Sequence, residues 1–195
     1  MRWDHLFDDL AGQLEHELQS EESDLQLEEE RLRLGRLALR DRLAVLKASS
    51  DAELGQVRVR LRTGELHSVR LVTVGRDWVA GDLEGLPGNP QAIIPLAAIE
   101  SVLMTAQQTT VSLDPLAATS ELAARLGIAF LLRDLCRRRS TVTLVTASAS
   151  TSGTIDRVGR DHLDLAVHDP DRPRRTTEVE HIRLVGFDQL LLVRL

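Results

Sequence analysis

Apolar positions recur at two different periods along this chain, and the switch between them happens twice. Trp3, Leu6, Phe7, Leu10, Leu14 and Leu18 fall at three- and four-residue spacing, which places them on one face of a helix. The polar run Gln19–Asp24 either breaks that helix or frays it. Leu25, Leu32, Leu39, Leu43 and Leu46 then resume the pattern, close to a heptad seam. Glu29 stands four residues before Arg33, the favourable order for an ion pair on a helix. Gly35 is tolerated there at about 1 kcal/mol against alanine. Ser49-Ser50-Asp51 ends the region.

From Gly55 the period becomes two. Val57, Val59 and Leu61 alternate with Arg58, Arg60 and Arg62, as in a strand with one buried and one charged face. Thr63-Gly64-Glu65 reads as a turn, Val69–Val74 as a second strand, Gly75-Arg76-Asp77 as a tight turn and Trp78–Leu83 as a third strand. The Gly-Leu-Pro-Gly-Asn-Pro run at Gly85–Pro90 is a loop. Ala92–Leu96 and Ser101–Leu103 are two further short strands.

Residues 105–114 read as a linker that includes an extended stretch. Asp114-Pro115 then marks a helix start, with an Asp cap and a Pro where its missing N–H costs nothing. Leu122, Leu126, Ala129, Leu132 and Cys136 form one apolar face. Arg137-Arg138-Arg139 closes the helix, at the end where cations suit its dipole. Strands follow at Thr141–Thr146, Gly153–Val158, His162–Val167, Thr176–Val185 and Leu190–Val193, with a turn-rich loop at Asp169–Pro173.

The same order of elements therefore occurs twice. Val74-Gly75-Arg76-Asp77 recurs as Val158-Gly159-Arg160-Asp161, and Leu71 falls on Ile155 at the same spacing. Near the end of each half, Leu96, Ile99 and Val102 match Val179, Ile182 and Val185 at a spacing one residue shorter. The first strands fit less well, since Val57, Val59 and Leu61 fall on Thr141, Thr143 and Val145. Either the second copy pairs one residue out of step, or its first strand is buried on both faces.

A helix followed by five short strands, with a tight turn between the second and third, resembles the Sm-like small barrel. Ser152 to Leu165 is the nearer copy, with Gly153 placed to relieve crowding where the second strand bends. The resemblance implies an α+β, mainly β chain of two tandem five-stranded barrels, each preceded by a helix, plus an N-terminal helix. Because Sm-like subunits join through strand edges, it also implies that the two copies share one sheet. From Met1-Arg2-Trp3-Asp4 to the last strand, the chain also resembles a family of uncharacterised actinobacterial proteins with this layout. Sm-like RNA binders read bases through an Asp and Asn pair after strand two and a basic residue with Gly before strand five. Asp77 and Asp161 fit the first position, but no Asn follows either. Ala97-Ala98-Ile99-Glu100 and Glu180-His181-Ile182-Arg183 lack the Gly. The resemblance thus carries the fold without the RNA site.

Composition changes this picture in three ways. Aromatics make up 3% of the chain and Tyr is absent, so the core is aliphatic and stacking platforms for bases are few. Cys136 is the single cysteine, which rules out a disulfide framework within the chain and suits a reducing compartment. The N-terminus lacks an apolar leader, and no stretch approaches the length of a membrane span, so the expected location is cytoplasmic, with no membrane partner. The net charge of −6 is uneven: residues 1–30 hold 11 acids against Arg2, and residues 31–50 hold 6 bases against Asp41. An acidic block running into a basic one suits a protein partner or self-association better than a nucleic-acid arm.

Candidate chemistry is sparse. The six histidines form no zinc pattern, no nucleophile elbow is present, and no Gly-rich loop precedes a helix. No cofactor and no enzymatic activity are expected. Two candidate surfaces remain. The first is a partner-binding face on the N-terminal helix, formed by Trp3, Leu6, Phe7, Leu10 and Leu14, which the second copy lacks; residues 36–48 are expected to be core instead. The second is a nucleic-acid-binding set comprising Arg58, Arg60, Arg62 and Arg70, with Arg172, Arg174 and Arg175 in the second Pro-rich loop. The expected organisation is a helical segment at 1–50, a first barrel at 51–104, a linker and helix at 105–140, and a second barrel at 141–195. The expected role is a non-enzymatic scaffold or adaptor that binds a protein through its N-terminal segment, with a nucleic-acid-associated regulator of Sm-like fold as the alternative.

Overall fold

The computed structural model describes residues 3–115, 122–169 and 179–195. Within the first helix, side chains are described at positions 16, 19 and from 22 onward. That helix, α1 (Trp3–Arg36), is continuous and belongs to a unit of its own, Met1–Ala38. The polar stretch at Gln19–Asp24 does not interrupt it. Glu and Gln are good helix formers, and the Ser23 hydroxyl donates to the Gln19 carbonyl at 2.8 Å instead of competing for the ladder. The break comes later, after Arg36. Arg33 forms its close ion pair with Glu30, one turn back at 2.6 Å. Leu25, Leu27 and Leu32 are 66%, 62% and 52% exposed, so these three leucines of α1 are not core.

The second unit, Leu39–Leu195, opens with α2 (Leu39–Ala48), whose Leu43, Ala44 and Leu46 are buried. Five strands follow: β1 (Gln56–Leu61), β2 (Leu66–Val74), β3 (Trp78–Glu84), β4 (Gln91–Pro95) and β5 (Ile99–Leu103). Next come α3 (Ala106–Val111) and α4 (Ile128–Arg138), then β6 (Thr141–Val145), β7 (Ser150–Val158), β8 (His162–Val167), β9 (His181–Gly186) and β10 (Leu192–Arg194). The fold is α+β, with one ten-stranded sheet in the order β5-β1-β2-β3-β4-β10-β6-β7-β8-β9 and antiparallel pairing throughout. The sheet is not closed, and β5 and β9 are its edges.

The order is one five-strand arrangement used twice. The fifth strand of each half lies beside its first strand, as β5 beside β1 and β10 beside β6. The second strand of each half carries a bulge at the same place, between Leu71 and Thr73 in β2 and between Ile155 and Arg157 in β7. A bulge adds one residue to one strand and bends it, which lets Val69, Leu71 and Val74 all face inward although their spacing is uneven. A Cβ on Gly153 would lie 2.2 Å from the Ala166 carbonyl oxygen, so that strand approaches β8 too closely for any side chain there. The two halves meet where β4 pairs β10 through Val193↔Ile93 and Arg194↔Ala92, and the Leu195 N–H adds a bond to the Gln91 carbonyl at 2.9 Å.

Packing joins the halves further. Leu191 and Leu192 of the second half pack in the first core with Leu43, Val59 and Ile94. Trp78 and Ile93 of the first half pack in the second core with Leu132, Leu144 and Leu163.

Several sequence expectations change. Residues 105–114 hold a helix, not an extended linker: α3 is fixed by a capping box between Thr105 and Gln108. Gln108 is buried, and its amide donates to the carbonyls of Leu54 at 3.2 Å and Gln56 at 2.7 Å. α4 starts at Ile128, so the helix start read at Asp114-Pro115 is not its start; residues 116–121 lie outside the described set. Leu122 is 72% exposed, off the apolar face. In β6, Val142 and Leu144 are buried and Thr141 is exposed, which settles the first-strand mismatch. Val142↔Gly153 is the counterpart of Val57↔Val69, so β6 is one residue out of step with the tetrapeptide spacing.

The second anchor of the repeat also moves. His162↔Gly186 is the counterpart of Trp78↔Pro95, which makes Leu184 equivalent to Ile93 and β9 equivalent to β4. Ile182 therefore does not match Ile99. The longer connection before β9, most of it outside the described residues, shifts the alignment.

Candidate functional site

The repeated tetrapeptide is a turn built for close approach. The Gly75 N–H donates to the Trp78 carbonyl at 2.8 Å, and the Gly159 N–H to the His162 carbonyl at 2.9 Å. In each turn the ring three residues on folds over the glycine. A Cβ on Gly75 would meet Trp78 Cε2 at 2.1 Å, and one on Gly159 would meet His162 Cε1 at 2.6 Å. The Asp carbonyl of each turn receives the first amide of the following short 3₁₀ segment, from Leu96 at 2.9 Å and from Phe187 at 2.8 Å. The helix before each half sends an arginine to the turn. Arg40 Nε donates to the Gly75 carbonyl at 2.9 Å, and Arg133 Nη2 to the Gly159 carbonyl at 3.3 Å.

The first turn holds a passing segment of the chain. The Leu126 carbonyl takes two donors, the Arg76 N–H at 3.1 Å and the Trp78 indole Nε1–H at 2.9 Å. The Asp77 carboxylate accepts the N–H of Ile128, the first residue of α4, at 2.7 Å. A helix N-terminus carries unsatisfied donors and partial positive charge, so a carboxylate there is favourable. Gly127 precedes α4 without a side chain to cap it. Asp77 supplies that cap from another element. The position that the Sm-like resemblance links to base reading is thus committed to holding α4.

The second turn is different. Asp161 is 84% exposed, and its carboxylate accepts from His162 Nδ1 at 2.8 Å. That hydrogen bond, more than the charge of the ring, holds the Asp161 carboxyl below the ordinary aspartate range, against an opposing cost of burial. Among the described residues, no chain segment bonds to this turn in the way Leu126–Ile128 bonds to the first.

No family model, no curated protein and no solved structure matches this chain. Its site must be read from its own geometry.

The structure places the sequence candidates as follows. Trp3, Leu6, Phe7, Leu10 and Leu14 lie in α1, and their side chains are outside the described set. Arg58 and Arg60 point away from the core on β1. The Arg60 guanidinium donates to the Gly64 carbonyl at 3.1 Å. Arg62 lies beyond the strand and donates to the Asp188 carbonyl of the second half at 2.8 Å. Arg70 is paired with Glu84 at 2.5 Å, and Gln56 donates to the other oxygen of that carboxylate. Of these four, Arg70 is held in an ion pair, and Arg60 and Arg62 are tied to backbone carbonyls. Arg172, Arg174 and Arg175 lie outside the described residues. The segment before strand five in the second half is Phe187–Gln189, not Glu180–Arg183.

Other groups are accounted for structurally. Buried His168 bonds the Thr154 hydroxyl through Nε2 and the Asp169 carbonyl through Nδ1, both at 2.8 Å. Cys136 is half-buried, its Sγ 3.4 Å from the Asp156 carbonyl oxygen. Among the described residues no three metal-ligating side chains cluster, and no helix is long and apolar enough to cross a membrane.

Sequence reasoning missed the sheet edge. Ile182 and Leu184 on β9 are 53% and 69% exposed, an uncovered apolar pair on an edge strand.

Proposed function

We propose that this chain is a non-enzymatic, cytoplasmic scaffold or adaptor that engages a protein partner through its N-terminal helical segment. Its body is read as two Sm-like barrels in tandem, at 51–104 and 141–195, with the helical segment at 1–50 and a linker and helix at 105–140. The repeated strand order and the matching bulges in β2 and β7 support that reading of the body.

The observation that carries the function is α1. It runs for 34 residues, and Leu25 and Leu32, seven apart on one face, stay more than half exposed. Helices with an uncovered apolar stripe are a common mode of protein recognition. Trp3, Leu6, Phe7, Leu10 and Leu14 extend the same apolar periodicity toward the N-terminus, in the acidic part of the segment. The partner that fits is a helix with a complementary apolar stripe and basic flanks.

Deleting residues 1–20 tests this. The full chain is expected to co-purify with a stoichiometric protein that resists nuclease, and the truncated chain is expected to lose it. Retention by the truncated chain would end the reading. A nuclease-sensitive eluate, lost with rising salt and on Arg58→Glu with Arg60→Glu, would replace it with a nucleic-acid role.

A further inference from the structure

α4 turns one face to the second core and a different one to solvent. Ile128 and Leu132 are buried, and Leu131, Leu135 and Cys136 pack beside them. Phe130, Arg133 and Arg137 fall at three- and four-residue spacing on the outer side and are exposed. With Asp134 they line a shallow groove. Three aromatic side chains are described in this chain: Trp78 is buried, Phe187 packs against the second core, and Phe130 is 54% exposed.

Charge around Phe130 is one-sided. Arg133, Arg137, Arg138 and Arg139 stand there against Asp134. Asp134 is shared, at 2.5 Å from Arg137 and 2.6 Å from Arg138. Arg133 bonds the Gly159 carbonyl at 3.3 Å and meets no carboxylate among the described residues. An exposed ring among guanidinium groups is the residue mixture that dominates the centres of protein contacts.

α1 carries the opposite charge at a matching spacing. Residues 22–30 hold five acids and no base, and all nine residues are exposed. Glu22, Leu25, Glu29 and Leu32 share one face of that helix, with acid and leucine alternating along it.

We infer that this face of α1 in one copy docks on the Phe130–Arg133–Arg137 face of α4 in a second copy. Phe130 packs on Leu25 and Leu32, and Glu22 and Glu29 meet Arg133 and Arg137. This rests on the reading of α1 as the partner-binding segment, and it names the partner as the chain itself. A nucleic acid fits the α4 face less well, because Phe130 alone offers one stacking platform and the chain carries a net charge of −6. The contact joins exposed charges, so it weakens as salt rises.

Sedimentation velocity on the purified, nuclease-treated full chain, at low salt and over a range of micromolar concentrations, reads the association. The wild type is expected to form concentration-dependent species larger than the monomer, and Phe130→Ala to weaken them about tenfold. Two charge-swapped chains test the pairing. One carries Glu22→Arg with Glu29→Arg, the other Arg133→Glu with Arg137→Glu. Each alone is expected to stay monomeric, and their mixture to associate again, because the basic α1 of the first meets the acidic α4 of the second. Every substituted position is exposed, and circular dichroism confirms that each variant is folded. A wild type that stays monomeric overturns the inference; if the chain still holds a foreign protein through residues 1–20, the reading of α1 stands without it. Association that neither swap disturbs, or folded swapped chains that fail to associate when mixed, also overturns it. A monomeric wild type that binds a single-stranded oligonucleotide, with binding lost on Phe130→Ala, gives the α4 face to nucleic acid instead.

Discussion

Asp77 caps Ile128, a residue 51 positions further along the chain, through a 2.7 Å bond from the Ile128 amide to the carboxylate. The carboxylate belongs to the turn after β2, and the amide belongs to the helix that opens the second half. The bond therefore ties the folding of one half to the start of the other.

Asp77→Ala is expected to cost about 1 kcal/mol, the usual worth of an N-cap, seen as a lower urea midpoint. Asp77→Asn keeps an acceptor and is expected to lose less. Asp161→Ala changes the same letter of the same tetrapeptide but removes no cap, so it is expected to stay within about 0.5 kcal/mol of wild type. Equal losses at the two positions would refute the asymmetry.

Two glycines are expected to respond in opposite directions to alanine. A Cβ on Gly81 would lie 2.1 Å from the Arg70 carbonyl oxygen, where backbone must move, so Gly81→Ala is expected to destabilise the sheet strongly. A Cβ on Gly35 meets nothing within 4 Å, so Gly35→Ala is expected to favour α1 by about 0.5–1 kcal/mol. Thermal melts followed by circular dichroism separate the two.

The leucine series divides at the end of α1. Leu43 is fully buried, and Leu43→Ala is expected to cost about 2–5 kcal/mol. Leu25 is 66% exposed, and Leu25→Ala is expected to change stability by less than about 0.5 kcal/mol while weakening partner binding. Denaturant titration and a pull-down read the two effects.

The Asp161 carboxyl is held low chiefly by its hydrogen bond from His162. Its pKa is lower in the folded chain, so its stabilising contribution is present above the ordinary aspartate range and fades as pH falls through the folded value. The pair is exposed and salt-screened, so the effect on stability is slight. Carboxyl chemical shifts are the direct readout. His162→Ala is expected to move the Asp161 titration upward, and an unmoved curve would remove His162 as the cause.

Much of the fold was legible because it is written in local periods. Val57, Val59 and Leu61 alternate inward as read, and the paired tetrapeptides do mark equivalent turns. What was not legible depends on partners far away in sequence. Nothing near Asp77 announces that its carboxylate belongs to a helix in the other half. α3 carried a local signal, Thr105 with Gln108, but too few apolar residues to show a helical period. Ile182 and Ile99 share an apolar spacing that suggested equivalence, and a longer connection before β9 broke it. Leu184 was paired with no core position in the sequence, and the strand registers make it the counterpart of buried Ile93. The strand order places it on an edge strand, where it is 69% exposed.

Trp78 turns the seam between the halves into a spectroscopic reporter. The chain has two tryptophans, Trp3 and Trp78, and no tyrosine. Trp78 is 3% exposed, and its indole N–H is bonded to the Leu126 carbonyl. A Trp3→Phe chain would therefore emit from one indole only, which sits where the first half grips the second. A red shift of that emission during unfolding would time the parting of the halves separately from the loss of the sheet.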